Sequence, residues 1–275
     1  MKNSLKFQFK NMLNSPGFVL SILFATLFSV TCFVINCVPW LGNDVINLPA
    51  AYMQYMSNGM NILMVRVFSI IFPLIPCVAY SDSCLSDLNS HTILPIISRC
   101  GKRNYYYSKL VTVFCGGFTV ITFPQLLNLL FCVVAFPLES TNIYTWDLWQ
   151  ADTYTVVIKE SFFLFKGLYI ESPYLYFLFY ILISGIVSGL VAVIAFQISF
   201  FVRNKIFVIT FMFVLINLSS VYFSSRGLNF DICSYMFGYN AGGQNYRDFA
   251  ILFIFYILAA LIPSFYAIKR LNDCL

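Results

Sequence analysis

Six long apolar runs constrain the fold of this chain more than any other feature of its sequence. They are Gly17–Val38, Asn61–Tyr80, Leu110–Leu138, Pro173–Val202, Ile206–Phe223 and Phe249–Ile268. Each run has about the 20 residues that a helix needs to cross ~30 Å of hydrocarbon. Strands of a membrane β-barrel would be shorter and would alternate between apolar and polar residues, and these runs do not. The sequence therefore predicts an all-α polytopic membrane protein with six transmembrane helices.

The composition supports this prediction, because only 10% of the 275 residues are charged and 60% are hydrophobic. Soluble domains are about a quarter charged, so water cannot be the main solvent of this chain.

The distribution of charge predicts how the chain is oriented. Eleven of the 16 basic residues fall in four segments on one side of the six runs: Lys2, Lys6, Lys10, Arg99, Lys102, Arg103, Lys109, Arg203, Lys205, Lys269 and Arg270. The other side holds eight of the 11 acidic residues: Asp44, Glu139, Asp147, Asp152, Glu160, Glu171, Asp231 and Asp248. The positive-inside rule then places both termini in the cytoplasm. The net charge of +5 reflects this orientation, so we expect no nucleic-acid partner.

The nine cysteines show no metal-binding or redox spacing, and we expect no metal site. Cys37, Cys132 and Cys233 lie at or near the outer side, where a disulfide between two of them stays open. The first apolar run is too long for a cleaved signal peptide and has no A-x-A site after it.

The N-terminal residues predict an amphipathic helix that lies on the inner leaflet. Leu5, Phe9, Met12 and Leu13 fall on one helical face, with Asn3, Ser4, Gln8, Asn11 and Asn14 opposite. Pro16-Gly17 then breaks the helix before the first span.

The pattern as a whole predicts a single transmembrane domain over residues 1–275. Its parts are an interfacial helix (1–16), spans 1 and 2 (17–80), a cytoplasmic loop (81–109), span 3 (110–138), an external loop (139–172), spans 4 and 5 (173–223), an external or re-entrant segment (224–248), and span 6 with a tail (249–275). Prolines at 73, 76 and 124 predict kinks in spans 2 and 3. Two overlapping small-xxx-small pairs, Ser184/Ser188 and Gly185/Gly189, allow a close helix contact by span 4.

A search for catalytic patterns returns nothing, and we name no catalytic residue. His91 has no metal-ligand neighbours, and the chain has no phosphate loop or G-x-S-x-G elbow. We therefore expect a protein that is not an enzyme by itself and that binds no cofactor.

Few polar residues lie within the spans, and these are the candidates for a substrate route. Arg66 is the one ionisable example, and it either snorkels to the headgroups, pairs with Asp44, or contacts an anionic substrate. Gln125, Asn128 and Asn217 either hydrogen-bond another helix or complete the candidate route. A chain of intramembrane acids is missing, which counts against an ion-driven transporter.

The cytoplasmic loop contains a pattern that suits a partner-binding helix. After span 2, Ser81 or Asp82 can cap a short helix on which Cys84, Leu85 and Leu88 form an apolar patch, with Asp87 and His91 beside it. We expect Pro95 to end this helix. The following SRCGKRNYYYSK leads into span 3, with Tyr105–Tyr107 at the headgroup belt.

This pattern resembles the ABC-2 type permeases, the membrane subunits of bacterial ATP-binding-cassette exporters. The matching features are a short acidic helix after span 2, an S-R pair, a basic pair, an aromatic run and a lysine at span 3, all within Asp82–Lys109. The resemblance implies a cytoplasmic coupling helix that contacts a separate ATPase subunit, through Asp82, Leu85, Asp87, Leu88, His91, Ser98 and Arg99. Independently of the resemblance, the basic and aromatic residues beside the apolar runs predict membrane-interface anchors at Lys6, Lys10, Lys102, Arg103, Tyr105, Tyr106, Tyr107 and Lys109.

The resemblance also implies the partners and the cargo. A second permease subunit, with a homodimer favoured, would pair with ATPase subunits that use ATP and Mg²⁺ at a bacterial cytoplasmic membrane. The expected function is export of a hydrophobic or amphipathic substrate, a peptide before a drug or lipid. The alternative is a membrane protein that does not transport, such as an immunity, sensor or scaffold subunit.

Overall fold

The computed structural model describes residues 2–57, 62–89, 92–139, 164–199, 202, 204–228, 230–237 and 245–273, and every regular element within them is helical. The α-helices are α1 (Lys2–Leu13), α2 (Pro16–Cys37), α3 (Ile62–Ile71), α4 (Leu74–Ala79), α5 (Ser83–Asn89), α6 (Ile93–Cys100), α7 (Lys102–Ala135), α8 (Lys166–Glu171), α9 (Pro173–Ile198), α10 (Lys205–Ser225), α11 (Ile232–Tyr235) and α12 (Tyr246–Asp273). Short 3₁₀ turns cover Val38–Trp40, Val45–Asn47 and Ala51–Gln54.

Six stretches are long and apolar enough to cross a membrane, so the prediction of a six-span helical protein is confirmed at this level. They are Pro16–Trp40, Leu63–Asp87, Lys102–Ala135, Pro173–Ile198, Lys205–Ser225 and Tyr246–Pro263. The second span is not one continuous helix, because α3 ends at Ile71 and α4 begins at Leu74, with Pro73 between them. Proline has no N–H to donate and so interrupts the helical hydrogen bonds, as its position predicts.

The crossings give the bundle two ends. We call the end that carries α1, α5, α6 and the start of α10 the basic face. The end that carries residues 38–49, 164–172 and 226–237 is the opposite face. Two contacts illustrate the arrangement: the Ser4 and Ser108 hydroxyl oxygens lie 2.9 Å apart at the basic face, and the Tyr174 hydroxyl donates to the Leu138 carbonyl at 2.6 Å at the opposite face.

Helices α7 and α9 form the centre of the bundle, and glycines allow their close approach. A Cβ atom on Gly117 would lie 2.7 Å from the Ala192 Cβ, and one on Gly185 would overlap the Thr122 methyl group. The Ser188 hydroxyl also donates to the Gly117 carbonyl at 2.6 Å. The small residues of span 4 therefore serve a contact within this chain.

Helix α1 and the break after it form as predicted, but the buried face of α1 differs from the prediction. Ser15 caps α2 by accepting a hydrogen bond from the Phe18 N–H at 3.3 Å. Ser4, Gln8 and Met12, spaced four residues apart, are buried, whereas Leu13 is exposed. The polar side chains turn inward because Ser108 and the Tyr80 hydroxyl supply hydrogen-bond partners there. The exposed side of α1 is thus not the apolar side that the sequence pattern predicts to face the membrane.

Candidate functional site

Helix α5, the predicted coupling helix, is packed into the bundle instead of projecting from it. Cys84 and Leu85 are buried by the chain's own helices. The prediction that Leu85 presents an apolar patch to a partner is therefore wrong, because that side chain already has its apolar environment. The side chain of Leu88 and the whole of His91 lie outside the described residues, so their predicted contacts stay predictions.

A buried ion pair joins α5 to the third span. The Lys109 ammonium lies 2.9 Å from an Asp87 carboxylate oxygen and donates to the Ser83 carbonyl at 3.1 Å. The same Asp87 oxygen accepts a 2.6 Å hydrogen bond from the Tyr105 hydroxyl. The ammonium also lies 5.0 Å from the centre of the Tyr80 ring, within range of a cation–π contact. These contacts compensate the charge that α7 brings into the protein interior.

A second ion pair joins the same loop to the fifth span. Asp82 precedes α5, and its carboxylate lies 2.6 Å from the ammonium of Lys205, the first residue of α10. The two acids for which the resemblance implies an ATPase contact therefore pair with cations of this chain. Asp82 and Asp87 therefore stabilise the packing of span 2 against spans 3 and 5.

Helix α6 is the part of the loop that reaches the surface. Leu94, Pro95, Ser98 and Arg99 are exposed, while Ile93 and Ile97 pack inward. The prediction that Pro95 ends a helix is wrong, since it lies in the first turn of α6, where a missing N–H breaks no helical hydrogen bond. Gly101 then adopts φ = 77° and separates α6 from α7, a conformation that favours glycine. Of the five predicted coupling residues whose side chains are described, Ser98 and Arg99 have the exposure that a partner contact requires.

The predicted membrane anchors fall into two groups. Lys6, Lys10 and Arg103 are exposed, and Lys102 and Tyr107 are half-buried, with the Arg103 guanidinium 5.7 Å from the Tyr107 ring centre. Tyr105, Tyr106 and Lys109 are buried within the protein. The prediction that these three side chains lie among lipid headgroups is wrong, because α1, α5 and α9 pack over the start of α7. Tyr106, for example, lies 6.1 Å from Phe196 of α9 between ring centres.

The predicted substrate route does not form one continuous lining. Arg66 is exposed, and the described residues include no ion pair between it and Asp44. Asn217 is half-buried and donates to the Ile70 carbonyl at 3.3 Å, which links spans 2 and 5. Gln125 and Asn128 are buried elsewhere, within spans 1, 3 and 4. Arg66 and Asn217 therefore lie in a different part of the bundle from Gln125 and Asn128.

Sequence reasoning missed the segment that surrounds Gln125 and Asn128. Residues 50–57 (AAYMQYMS) leave the opposite face and run into the bundle, and all eight are buried. The Tyr55 hydroxyl donates to the Gln125 side-chain oxygen at 3.0 Å, and the Met56 N–H donates to the Asn128 side-chain oxygen at 3.0 Å. The absence of charge between Asp44 and Arg66 was the one signal for it in the sequence.

The segment 224–248 was predicted to be external or re-entrant, and part of it is described. Ile232–Tyr235 forms α11, and the buried Cys233 thiol donates to the Ser69 carbonyl at 3.6 Å. Residues 238–244, and 140–163 of the external loop, lie outside the described residues. Cys37, Cys132 and Cys233 are free thiols, so none of the disulfides left open by the sequence is present among them.

The described residues also contain no group of three or more His, Cys, Asp or Glu side chains that could hold a metal ion. Comparisons with protein-family models, with curated proteins and with solved structures found no match. The likeness to ABC-2 permeases therefore rests on the residue pattern of 82–109. What stands independently of that likeness is a multi-pass helical protein in which ion pairs of Asp82 and Asp87 join the end of span 2 to spans 3 and 5.

Proposed function

We propose that this protein is the membrane-spanning permease subunit of an ATP-binding-cassette exporter in a bacterial cytoplasmic membrane, with its basic face in the cytoplasm. A dimer of such subunits would bind two ATPase subunits, which use ATP and Mg²⁺. The cargo is a hydrophobic or amphipathic molecule, with a peptide favoured over a drug or a lipid.

One observation carries the proposal: the α5–α6 loop is joined by ion pairs to two spans at once. Asp87 contacts Lys109 of α7, and Asp82 contacts Lys205 of α10. A force applied to this loop by a partner would move the ends of spans 3 and 5 together. In a loop without such contacts, the loop backbone would change conformation and the spans would stay in place. Mechanical linkage of this kind is what an external ATPase needs to drive a membrane subunit.

The exposed face of α6 is the surface that the partner would contact. Leu94 and Pro95 offer apolar area, and Ser98 and Arg99 offer hydrogen-bond donors and one positive charge. A groove with an apolar floor and an acidic rim would complement this face.

Purification of the tagged protein from its native membranes in mild detergent tests the proposal. We expect an ATPase with a phosphate loop to co-purify. Arg99→Glu should lower the recovered ATPase several-fold, because the new charge repels an acidic rim. Arg103→Glu is the matched control, since Arg103 is exposed but lies on α7 outside the α6 face, and it should retain the ATPase. Recovery of the folded protein with no ATPase would contradict the proposal.

The alternative, a subunit that does not transport, is favoured by one observation. Gln125 and Asn128 are buried and engaged in hydrogen bonds with the chain itself, so they line no open path. Such a subunit would co-purify with a receptor or assembly factor instead of an ATPase. The same purification therefore separates the two functions.

A further inference from the structure

Residues 50–57 fill a wedge-shaped cleft between helices α2, α7 and α9, which we call the wedge. Toward the basic face, α7 and α9 touch directly through Gly117, Gly185 and Gly189. Toward the opposite face the chain's own segment lies between the spans instead. Its side chains reach Gln125, which lies ten residues before the end of α7, or about 15 Å along a helix. The segment therefore enters the half of the bundle that lies next to the opposite face.

The wedge binds the segment through its peptide backbone. The Asn36 side-chain amide donates to the Gln54 carbonyl at 2.8 Å, and the Asn128 side-chain oxygen accepts from the Met56 N–H at 3.0 Å. The Asn128 amide nitrogen donates to the Ser29 carbonyl at 2.9 Å. That bond holds the Asn128 oxygen toward the segment. These contacts recognise a peptide group, whatever side chain it carries.

A second set of contacts recognises one aromatic side chain. The centres of the Tyr55 and Phe177 rings lie 5.2 Å apart. The Gln125 side-chain oxygen accepts hydrogen bonds from both the Tyr55 hydroxyl and the Ser184 hydroxyl, the second at 3.2 Å. Nearer the mouth, Tyr52 packs edge-on to Tyr169 and Tyr174. The buried Gln125 amide nitrogen has no hydrogen-bond partner, so the wedge holds one polar group that its present occupant does not satisfy.

We propose that the wedge is a binding site for an uncharged peptide that carries an aromatic residue, and that residues 50–57 occupy it as a plug. Asn36 and Asn128 hold the peptide backbone, and Gln125 with Phe177 holds the aromatic side chain. The identification of that peptide as cargo rests on the proposed function. The binding itself requires no ATPase, so the two ideas fail separately.

The test uses the full chain in nanodiscs and a fluorescent peptide of sequence AAYMQYMS, blocked at both ends. A site that is open for only a fraction of the time binds more weakly by that fraction. Tyr55→Ala removes the plug's anchor and leaves Asn36, Gln125 and Asn128 intact. We expect it to tighten peptide binding tenfold or more relative to the unaltered chain. Tyr235→Ala, which removes a buried tyrosine from α11, should leave the affinity unchanged.

A modified peptide separates specific binding from partition into lipid. Methylation of the nitrogen that corresponds to Met56 removes the donor to Asn128 while making the peptide more apolar. We expect this peptide to lose at least tenfold in affinity for the Tyr55→Ala protein, whereas partition into empty nanodiscs should rise. Equal binding of the two peptides, or no binding by a folded Tyr55→Ala protein, would overturn the proposal.

Hydrogen exchange on the unaltered chain gives a second measurement that does not depend on a variant. A plug must open more often than the bundle unfolds, so the amides of residues 52–56 should exchange at least tenfold faster than those of α7. Tyr55→Phe, which removes only the hydroxyl, should speed that exchange further. Exchange of the segment as slow as that of α7 would show a permanent core element and overturn the proposal.

Discussion

Asp82 and Asp87, at the end of span 2, form two ion pairs that differ in burial, and this difference supports a quantitative prediction. The side chains of Lys109 and Asp87 are 1% and 17% exposed, whereas those of Lys205 and Asp82 are 50% and 23% exposed. Asp87→Asn leaves the Lys109 ammonium buried without a counter-charge. Asp82→Asn leaves Lys205 free to turn into solvent.

The expected magnitudes follow from burial. Removal of one partner of a buried pair costs about 3–5 kcal/mol, because the remaining charge stays desolvated. The partial exposure of Asp87 lowers the expected cost of Asp87→Asn below this range, to about 2–3 kcal/mol. Asp82→Asn should cost less than about 1 kcal/mol, since exposed pairs are screened. At roughly 2–4 °C for each kcal/mol, the apparent Tm should fall by about 4–12 °C for Asp87→Asn and by at most ~4 °C for Asp82→Asn.

Thermal unfolding in one detergent, followed by intrinsic fluorescence, measures both variants against the unaltered chain. Replacement of both members of the buried pair by apolar residues, Asp87→Leu with Lys109→Met, should recover part of the loss because no charge stays buried. High salt should erase the effect of Asp82→Asn and leave that of Asp87→Asn nearly intact. Equal destabilisation by the two single variants, or a double variant less stable than Asp87→Asn, would refute the assignment of Lys109 to a desolvated pair.

Three further predictions concern packing, topology and the coupling loop. Gly185→Ala should lower stability by about 1–3 kcal/mol through overlap with Thr122, whereas Gly167→Ala, which meets no atom within 4 Å, should be neutral in the same melting assay. With Cys100 replaced by serine, Ser98→Cys should react with an impermeant maleimide only in inverted vesicles and Leu41→Cys only in intact cells; labelling of both from one side would contradict six crossings between the two ends. Leu85→Asp should lower the yield of folded protein before any ATPase contact is tested, because that side chain is buried; normal yield and melting would show that Leu85 is not part of the core.

The amino-acid sequence alone determined the fold class, the six spans and the breaks at Pro16 and Pro73. These features depend on local properties: the length of an apolar run, its scarcity of charge and the missing N–H of proline. Bilayer thickness and backbone hydrogen bonding act on each segment separately, so no knowledge of its neighbours is needed.

The tertiary structure alone decided what each polar side chain contacts. Lys109 and Tyr105 have the spacing and composition of headgroup anchors, yet both are buried because α5 covers them with Asp87. Ser4 and Gln8 face inward because Ser108 and Tyr80 lie opposite them. Residues 50–57 carry no charge or period that marks insertion, and their buried position depends on Asn36, Gln125 and Asn128 from two different spans. A hydrogen bond or ion pair joins residues far apart in the chain, so its partner is fixed only when the helices are packed.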